Sequence, residues 1–397
     1  MKWKYRFGAA AGNALEYYDI AVFAAISVYL SAELEKLGYS QSTLMVWGIF
    51  ALRFLIRPIG GVVIGRYADT AGKKAALVLT SSITGIATLC MALLPIQLLG
   101  VYTPLAILIF QLALSFSFGG EYPSLVTYLF SDVQEDERAK IAALISGSIV
   151  VGVIISTGLV FFLQQVLDKE TMHSIGWRIP LLVGLFNIGM SFWFRTKLPE
   201  KRANRPVKRA FNWLGIIYLF LLTAPASVAF YSQNLSGSVI VRHLKHDVLK
   251  DIFPLISSGL LLALIILSCW WTTKYSSPLR IYRIGVAALV LLAAPVYFTL
   301  QLDNLMLVCF AQLSIAGCSS MILANLPAVL ARVVHGNTAM LGAGYNGASV
   351  CIGGVTPLVI TYLSDFHLGY AGCFIALCGA LFFLTRWLPK SKELEFN

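Results

Sequence analysis

Twelve apolar segments, each about as long as one helical crossing of a lipid bilayer, dominate this 397-residue chain. A hydrocarbon core about 30 Å thick requires roughly 20 residues of helix. Hydrophobic residues make up 58% of the chain and charged residues only 12%, which is too apolar for a water-soluble fold. The sequence therefore predicts an all-α membrane protein with twelve transmembrane helices. The predicted spans are 8–30, 43–65, 75–95, 104–130, 140–165, 178–195, 212–232, 252–273, 284–301, 305–330, 338–363 and 369–388.

The net charge of +11 is distributed unevenly along the chain. The two tails and the even-numbered connections hold 22 of the 30 Lys and Arg residues, the odd-numbered connections hold six and the spans hold two. Because basic residues are retained in the cytoplasm, this pattern predicts a multi-pass protein of a bacterial inner membrane with both termini cytoplasmic. No basic stretch lies in a foldable soluble module, so the charge indicates membrane orientation and not nucleic-acid binding.

The longest basic connection, from Arg195 to Arg209, has six predicted spans before it and six after it. Many carriers consist of two such halves that surround a central substrate site. The predicted units are an N-terminal six-helix bundle at 1–195, a cytoplasmic linker at 196–211 and a C-terminal six-helix bundle at 212–397.

Five charged residues lie inside predicted spans, where a charge costs several kcal/mol unless it has a partner or a function. They are Glu16, Asp19, Arg53, Arg57 and Glu121. Helical spacing places Glu16 at the depth of Arg57 and Asp19 at the depth of Arg53, so two ion pairs between spans one and two are expected. Glu121 in span four then remains as the acid without a partner.

Three acids against two arginines form a cluster of net charge −1 that can bind one proton, because desolvation and neighbouring acids raise the pKa of a carboxyl group. Glu121, Asp19 and Glu16 are therefore the candidate proton-coupling residues. The alternative is that all five charges form a static network that holds the helices of the first half together.

Two arginines in a membrane cavity favour a solute that carries a carboxylate. Polar residues within spans are further candidates for contact with the solute, although each of them is also suited to a hydrogen bond between helices. The candidate substrate-binding residues are Arg53, Arg57, Asn13, Tyr17, Asn325, Tyr345 and Asn346.

The seven cysteines lie in predicted spans without a CxxC pair, and no histidine stands at metal-binding spacing, so neither a metal nor a cofactor is expected. No nucleophile, base and orienting group are recognisable together, which argues against an enzyme. The expected partners are a small-molecule substrate, protons and the lipid bilayer, and the protein is expected to be a monomer.

Several motifs occur in the order in which the metabolite:proton symporters, a branch of the major facilitator superfamily, carry them. The opening GNALEYYD at 12–19 resembles the GNxxEWYDF motif of that branch. The other matching stretches are RPIGG at 57–61, the loop from Gly65 to Lys74, GGEY at 119–122, GWRIP at 176–180 and GYN at 344–346.

The resemblance implies a major facilitator fold and proton-driven uptake of a dicarboxylate, a tricarboxylate, a shikimate-like acid, proline or a betaine. It also implies that Asp69 holds the cytoplasmic face shut by contact with the start of span eleven near Gly336 to Thr338, where free N–H groups stabilise a carboxylate. Arg138 is expected to be a second partner of Asp69, and Gly72 belongs to the same gating loop.

Proton-coupled symport of a carboxylate or zwitterionic solute by alternating access is the leading hypothesis. An exporter or a proton-independent facilitator is the alternative within transport, and it would use the buried acids only structurally. A non-transporting membrane sensor is the remaining alternative. An output domain in the sequence would have favoured it.

Overall fold

The computed structural model describes residues 1–200, 212–234, 247–300 and 305–388. Twelve segments of this part of the chain are long and apolar enough to cross a membrane, and they are labelled α1 to α12 in chain order. They are Trp3–Lys36, Ser42–Ala71, Lys73–Ala92, Ile96–Asp132, Glu135–Val166, Gly176–Thr196, Trp213–Gln233, Phe253–Tyr275, Pro278–Thr299, Met306–Val334, Thr338–Phe366 and Leu368–Arg386. Three of them lie in slightly longer helices, Trp213–Asn234, Asp247–Tyr275 and Leu305–Val334.

Segment α2 consists of two helices, Ser42–Leu55 and Arg57–Ala71, that meet at Ile56. Pro58 is the second residue of the later helix. Because proline has no N–H to donate to the preceding turn, it interrupts the hydrogen-bond ladder at this point. The break lies directly beside Arg57 and places that residue at the start of a new helix.

Segment α11 also changes character in its middle. An α-helix runs from Thr338 to Ala348, a π-helical turn occupies Ser349–Gly353, and a second α-helix runs from Thr356 to Phe366. Single π-helical turns inside α-helices occur frequently at functional sites.

The first half, α1 to α6, contacts the second half, α7 to α12, mainly where α2 packs on α11 and α5 packs on α8 and α10. Glycine allows the closest of these approaches. A Cβ atom at Gly342 of α11 would lie 2.3 Å from the carbonyl oxygen of Gly61 in α2. The α2–α3, α4–α5 and α10–α11 connections share one end of the bundle, which is called the inner end below.

The predicted fold class and the twelve spans are confirmed, and the differences concern helix ends. Asp69 was placed in a loop by the sequence but lies in the last turns of α2, which continues to Ala71. Arg195, which the sequence places at the end of span six where the basic connection begins, is buried inside α6. Most of the predicted linker, 201–211, is outside the described residues, so the domain boundaries stay a prediction.

Candidate functional site

A cavity lies between the two halves, and about 550 Å³ in and around it, including space open to solvent, is not filled by atoms. It is called the central cavity. Seven of the twelve segments contribute to its wall, from both halves of the molecule. The lining residues are Tyr17, Arg57, Tyr122, Ser146, Ile149, Val150, Thr223, Ala226, Ser227, Phe230, Tyr231, Leu323, Leu326, Tyr345 and Ser349.

Arg57 is the charged member of this described lining, and it is 6% exposed. Its Nη1 atom donates to the hydroxyl of Tyr231, 3.3 Å away, and its guanidinium carbon lies 4.3 Å from the centre of the Phe54 ring. Its Nε and Nη2 atoms are buried without a hydrogen-bond partner in the described part of the chain. These two atoms form one edge of the guanidinium plane, and such an edge can bind both oxygens of a carboxylate.

A smaller cavity, with about 300 Å³ of unfilled space, shares four lining residues with the central cavity. The shared residues are Tyr17, Arg57, Tyr122 and Tyr345; the remaining ones are Asn13, Phe118, Glu121 and Asn346. The rings of Tyr122 and Tyr345 stack with centres 4.2 Å apart, so α4 and α11 meet where the two cavities adjoin. Arg57 thus lines both the smaller cavity, which Glu121 also lines, and the central cavity.

Glu121 forms a buried ion pair with Arg195. The prediction that Glu121 is the acid without a partner is therefore wrong. Arg195 is fully buried on α6, where its Nη1 atom donates to the carbonyl of Leu77 at 3.0 Å and to the hydroxyl of Ser81 at 2.6 Å. The sequence concealed this role because Arg195 closes an apolar run and precedes the basic connection, as a residue of the membrane surface would.

The second oxygen of Glu121, Oε2, is buried and has no hydrogen-bond partner among the described residues. Since Glu121 also lines the smaller cavity, one oxygen is held by Arg195 while the other is the candidate position for a proton. The described buried charges thus include a third arginine that the sequence interpretation did not count, and the cluster does not have the expected surplus of acid.

At the inner end, Asp69 lies against the first turn of α11. Its two carboxylate oxygens accept hydrogen bonds from the backbone N–H groups of Thr338 and Ala339, each at 3.1 Å. Thr338 also contacts Thr127 of α4 at 3.0 Å between hydroxyl oxygens. The N-terminus of a helix has free N–H groups and a partial positive charge, so a carboxylate stabilises this contact between the halves.

Residues 6–202 match the family described as "Sugar (and other) transporter". The fold is similar to that of the proton:xylose symporter XylE of E. coli bound to 6-bromo-6-deoxy-D-glucose, with a TM-score of 0.81 at 15% identity over 98% of this chain and 96% of that one. The chain has the major facilitator fold.

Two curated relatives of this major facilitator protein cover most of its length. A citrate-proton symporter of Klebsiella pneumoniae is 26% identical over 94% of this chain and 88% of its own. A putative proline/betaine transporter of Staphylococcus aureus (strain MSSA476) is also 26% identical, over 89% of this chain and 80% of its own. The resemblance to the metabolite:proton symporters is thereby confirmed, and the protein is a multi-pass membrane transporter and not an enzyme.

Four of the predicted substrate-binding residues line the cavities of this major facilitator protein besides Arg57. Tyr17 and Tyr345 line both cavities, and Asn13 and Asn346 line the smaller one. Both asparagines also connect helices: Asn13 donates to the hydroxyl of Ser148 at 2.8 Å, and Asn346 donates to the carbonyl of Gly119 at 2.7 Å. The hydrogen bond between helices is thus present for both asparagines, and their contact with the solute stays a prediction.

Arg53 does not form the ion pair with Asp19 that the sequence predicts. It is 1% exposed, donates to the side chain of Gln111 at 2.7 Å and has its guanidinium carbon 4.0 Å from the centre of the Phe50 ring. Asp19 instead accepts a hydrogen bond from Thr88 of α3 at 3.1 Å. Equal depth was the basis of the prediction, but the rotation of each helix about its axis decides which side chains face each other.

Neither Arg53 nor Asp19 lines the two cavities described here. The same holds for Asn325, whose amide donates to the carbonyl of Met321 in its own helix at 2.9 Å. These three residues are therefore not part of the candidate site. The side chain of Glu16, and with it the predicted pair with Arg57, lies outside the described part of the chain.

Arg138 was expected to contact Asp69, but its Nε atom lies 2.9 Å from a carboxylate oxygen of Glu135, three residues earlier in the chain. The other oxygen of Glu135 lies 3.9 Å from Arg332 of α10, so this chain of charges still joins the two halves at the inner end. Gly72 separates α2 from α3 with a φ of +106°, a conformation that other residues rarely adopt. The gating role of Gly72 stays a prediction.

Proposed function

We propose that the protein is a proton-coupled symporter that takes up a small carboxylate-bearing solute across a bacterial inner membrane, with both termini in the cytoplasm. The observation that carries this proposal is Arg57, a buried arginine between the halves whose Nε and Nη2 atoms lack a partner in the described chain. A guanidinium that remains charged in a membrane cavity needs an anion, and a carboxylate fits its free edge.

The names of the relatives support a carboxylate. Citrate, proline and betaine differ in size and net charge, but each of them carries at least one carboxylate group. A neutral sugar, as in the xylose symporter of similar fold, would leave the guanidinium of Arg57 without a counter-charge from the described residues of its cavity wall. Because an uncompensated charge in a membrane interior is costly, the chemistry of this cavity favours the acid over the sugar.

Coupling to protons follows from the cavity that Arg57 and Glu121 share. A carboxylate bound at Arg57 brings a negative charge towards the carboxylate of Glu121, and a like charge favours the protonated form of an acid. Protonation of Glu121 weakens its ion pair with Arg195, which joins α4 to α6. Binding of the solute therefore favours uptake of a proton at Glu121, and by thermodynamic linkage the proton favours binding of the solute.

The contacts at the inner end belong to a state closed on that side. Release of the solute there requires the Asp69 contact to α11 and the Glu135 contact to Arg332 to break. In alternating access the two halves move around a fixed central site, so the loss of these contacts would accompany the opening.

The experiment is uptake into liposomes that contain the purified protein, with an imposed inward proton gradient. The panel consists of labelled citrate, α-ketoglutarate, shikimate, proline and glycine betaine. Accumulation of one solute above equilibrium, lost in Glu121→Gln and retained in Glu170→Gln, is the expected result. Glu170 is an exposed acid in the α5–α6 connection and serves as the matched control.

Two other results would contradict the proposal. Gradient-independent equilibration in both variants would indicate a facilitator, and the buried acids would then have only a structural role. Movement of the solute only out of the liposomes, driven by the inward proton gradient, would indicate an exporter that exchanges protons for solute.

A further inference from the structure

The described wall of the central cavity combines one positive charge with several hydroxyl groups. Arg57 is the charged member, and the described lining contains no carboxylate. The hydroxyls come from five segments of both halves: four are tyrosines, Tyr17, Tyr122, Tyr231 and Tyr345, and the others are Ser146, Thr223, Ser227 and Ser349.

Three of the aliphatic hydroxyls already donate their hydrogen to the backbone. Thr223 donates to the carbonyl of Leu219 at 2.7 Å, Ser349 to that of Tyr345 at 3.0 Å, and Ser146 to that of Leu323 at 2.5 Å. A hydroxyl that donates in this way can still accept hydrogen bonds through its oxygen. These residues therefore offer acceptors to a solute, which suits a solute that has hydrogen-bond donors.

Ser227 differs because no hydrogen bond of its hydroxyl is formed within the described chain, although the residue is only 6% exposed. It lies one helical turn after Thr223 on α7, so both hydroxyls are on the same face of that helix. Apolar residues, among them Ile149, Val150 and Leu326, complete the wall and can pack against a carbon skeleton.

We propose that the solute is a hydroxylated monocarboxylate: one carboxylate that binds Arg57 and an uncharged body whose hydroxyl groups donate to Thr223, Ser349 and Ser146 and bond with Ser227. This inference rests on the proposed function, since it names the solute class of the same cavity. It selects among the acids that a symporter of this kind could carry.

Charge and hydrogen bonding disfavour the other classes. A dicarboxylate or tricarboxylate brings further negative charges, and Arg57 is the one positive charge in the described lining that could compensate them. A quaternary ammonium zwitterion could place its cation against the tyrosine rings, but it has no hydrogen-bond donor for the oxygens of Thr223, Ser349 and Ser146.

The first experiment measures binding and transport with the same solutes. The purified protein is heated with shikimate, quinate, gluconate, citrate, α-ketoglutarate or glycine betaine, and the unfolding temperature is followed by tryptophan fluorescence. Proton-driven accumulation of the same solutes is measured in liposomes. A rise in unfolding temperature and accumulation confined to the hydroxylated monocarboxylates are expected.

The second experiment removes single hydroxyls. Thr223→Val and Ser227→Ala are expected to raise the KM for the transported hydroxylated acid about fivefold to tenfold, the effect of one lost hydrogen bond. The KM for its analogue without hydroxyl groups should not change. Ser232→Ala is the matched control, because Ser232 lies on the same helix, donates to the carbonyl of Ala229 and is outside the cavity lining.

The results separate this inference from the function on which it rests. Accumulation of citrate or glycine betaine in place of the hydroxylated acids would overturn the solute class and leave symport intact. Stabilisation by a hydroxylated acid without gradient-driven accumulation would support the site and overturn symport. If no solute stabilises the protein and none accumulates, both proposals fail.

Discussion

At the scale of single residues, two arginines one helical turn apart differ completely in their surroundings. Arg57 lines both cavities and has a free guanidinium edge, whereas Arg53 is held by Gln111 and the Phe50 ring. Their spacing of four residues puts them on one face of α2, but the break at Ile56 separates them into two helices. Function at this site should therefore depend on Arg57 and fold stability on Arg53.

Replacement of each arginine by lysine tests this difference. Arg57→Lys keeps the charge but loses the bidentate edge, so the KM for the carboxylate solute should rise about 10- to 100-fold. Arg53→Lys should lower the unfolding temperature. The KM should stay within about twofold of the original value, since Arg53 lines neither cavity. Initial uptake rates and thermal unfolding of both variants are the measurements. Equal KM changes in the two variants would contradict the assignment of function to Arg57 and of fold stability to Arg53.

At the scale of helices, the approach of α2 to α11 depends on glycine. The carbonyl oxygen of Gly61 occupies the space that a side chain at Gly342 would need, so the two helices can touch only while both positions lack a Cβ atom. This contact lies on the same side of the central cavity as the Asp69 interaction. The helix pair therefore belongs to the inner closure.

Gly342→Ala should force α2 and α11 apart and favour the state that is open at the inner end, because the new Cβ atom would lie 2.3 Å from a backbone oxygen. Gly347→Ala on the same helix is the matched control, since its Cβ atom would meet Phe220 at an ordinary 3.5 Å. Alkylation of a cysteine introduced at Ser349 from the inner side measures the opening. Faster alkylation is expected in Gly342→Ala only, and equal rates in both variants would contradict the role of the glycine contact.

At the scale of the whole molecule, the inner end joins the halves through a few polar contacts. Asp69 binds the N-terminus of α11, Thr127 contacts Thr338, and Glu135 lies between Arg138 and Arg332. Each contact contributes about 1 kcal/mol or less, because a neutral hydrogen bond and a partly exposed ion pair each gain little net free energy. Such a closure is weak enough for binding of solute and proton to open it.

Asp69→Asn should therefore shift the population towards the open inner end about fivefold, the effect of roughly 1 kcal/mol. Spin labels at Thr70 and Ser277, one in each half, report the separation of the inner ends once the seven native cysteines are replaced. In Asp69→Asn, a larger fraction of molecules should show a longer distance between the two spin labels. Asp136→Asn, an exposed acid at the same end, serves as the control and should keep the original distribution.

The sequence by itself determined the twelve spans, the membrane location and the presence of buried charges, because hydropathy and helix length are local properties of the chain. It also led to Arg57 and Glu121, since a charge inside a span has few stable arrangements. The resemblance to the metabolite:proton symporters led to the Asp69 contact with the start of α11.

Only the tertiary structure decided which charges meet. Arg195 pairs with Glu121 although 74 positions separate them, and Arg53 faces Gln111 instead of Asp19. These contacts depend on the rotation of each helix and on its neighbours, and neither quantity is encoded in the periodicity of a single span. The hydroxyl-lined wall has the same origin, because it exists only where segments from both halves come together around one cavity.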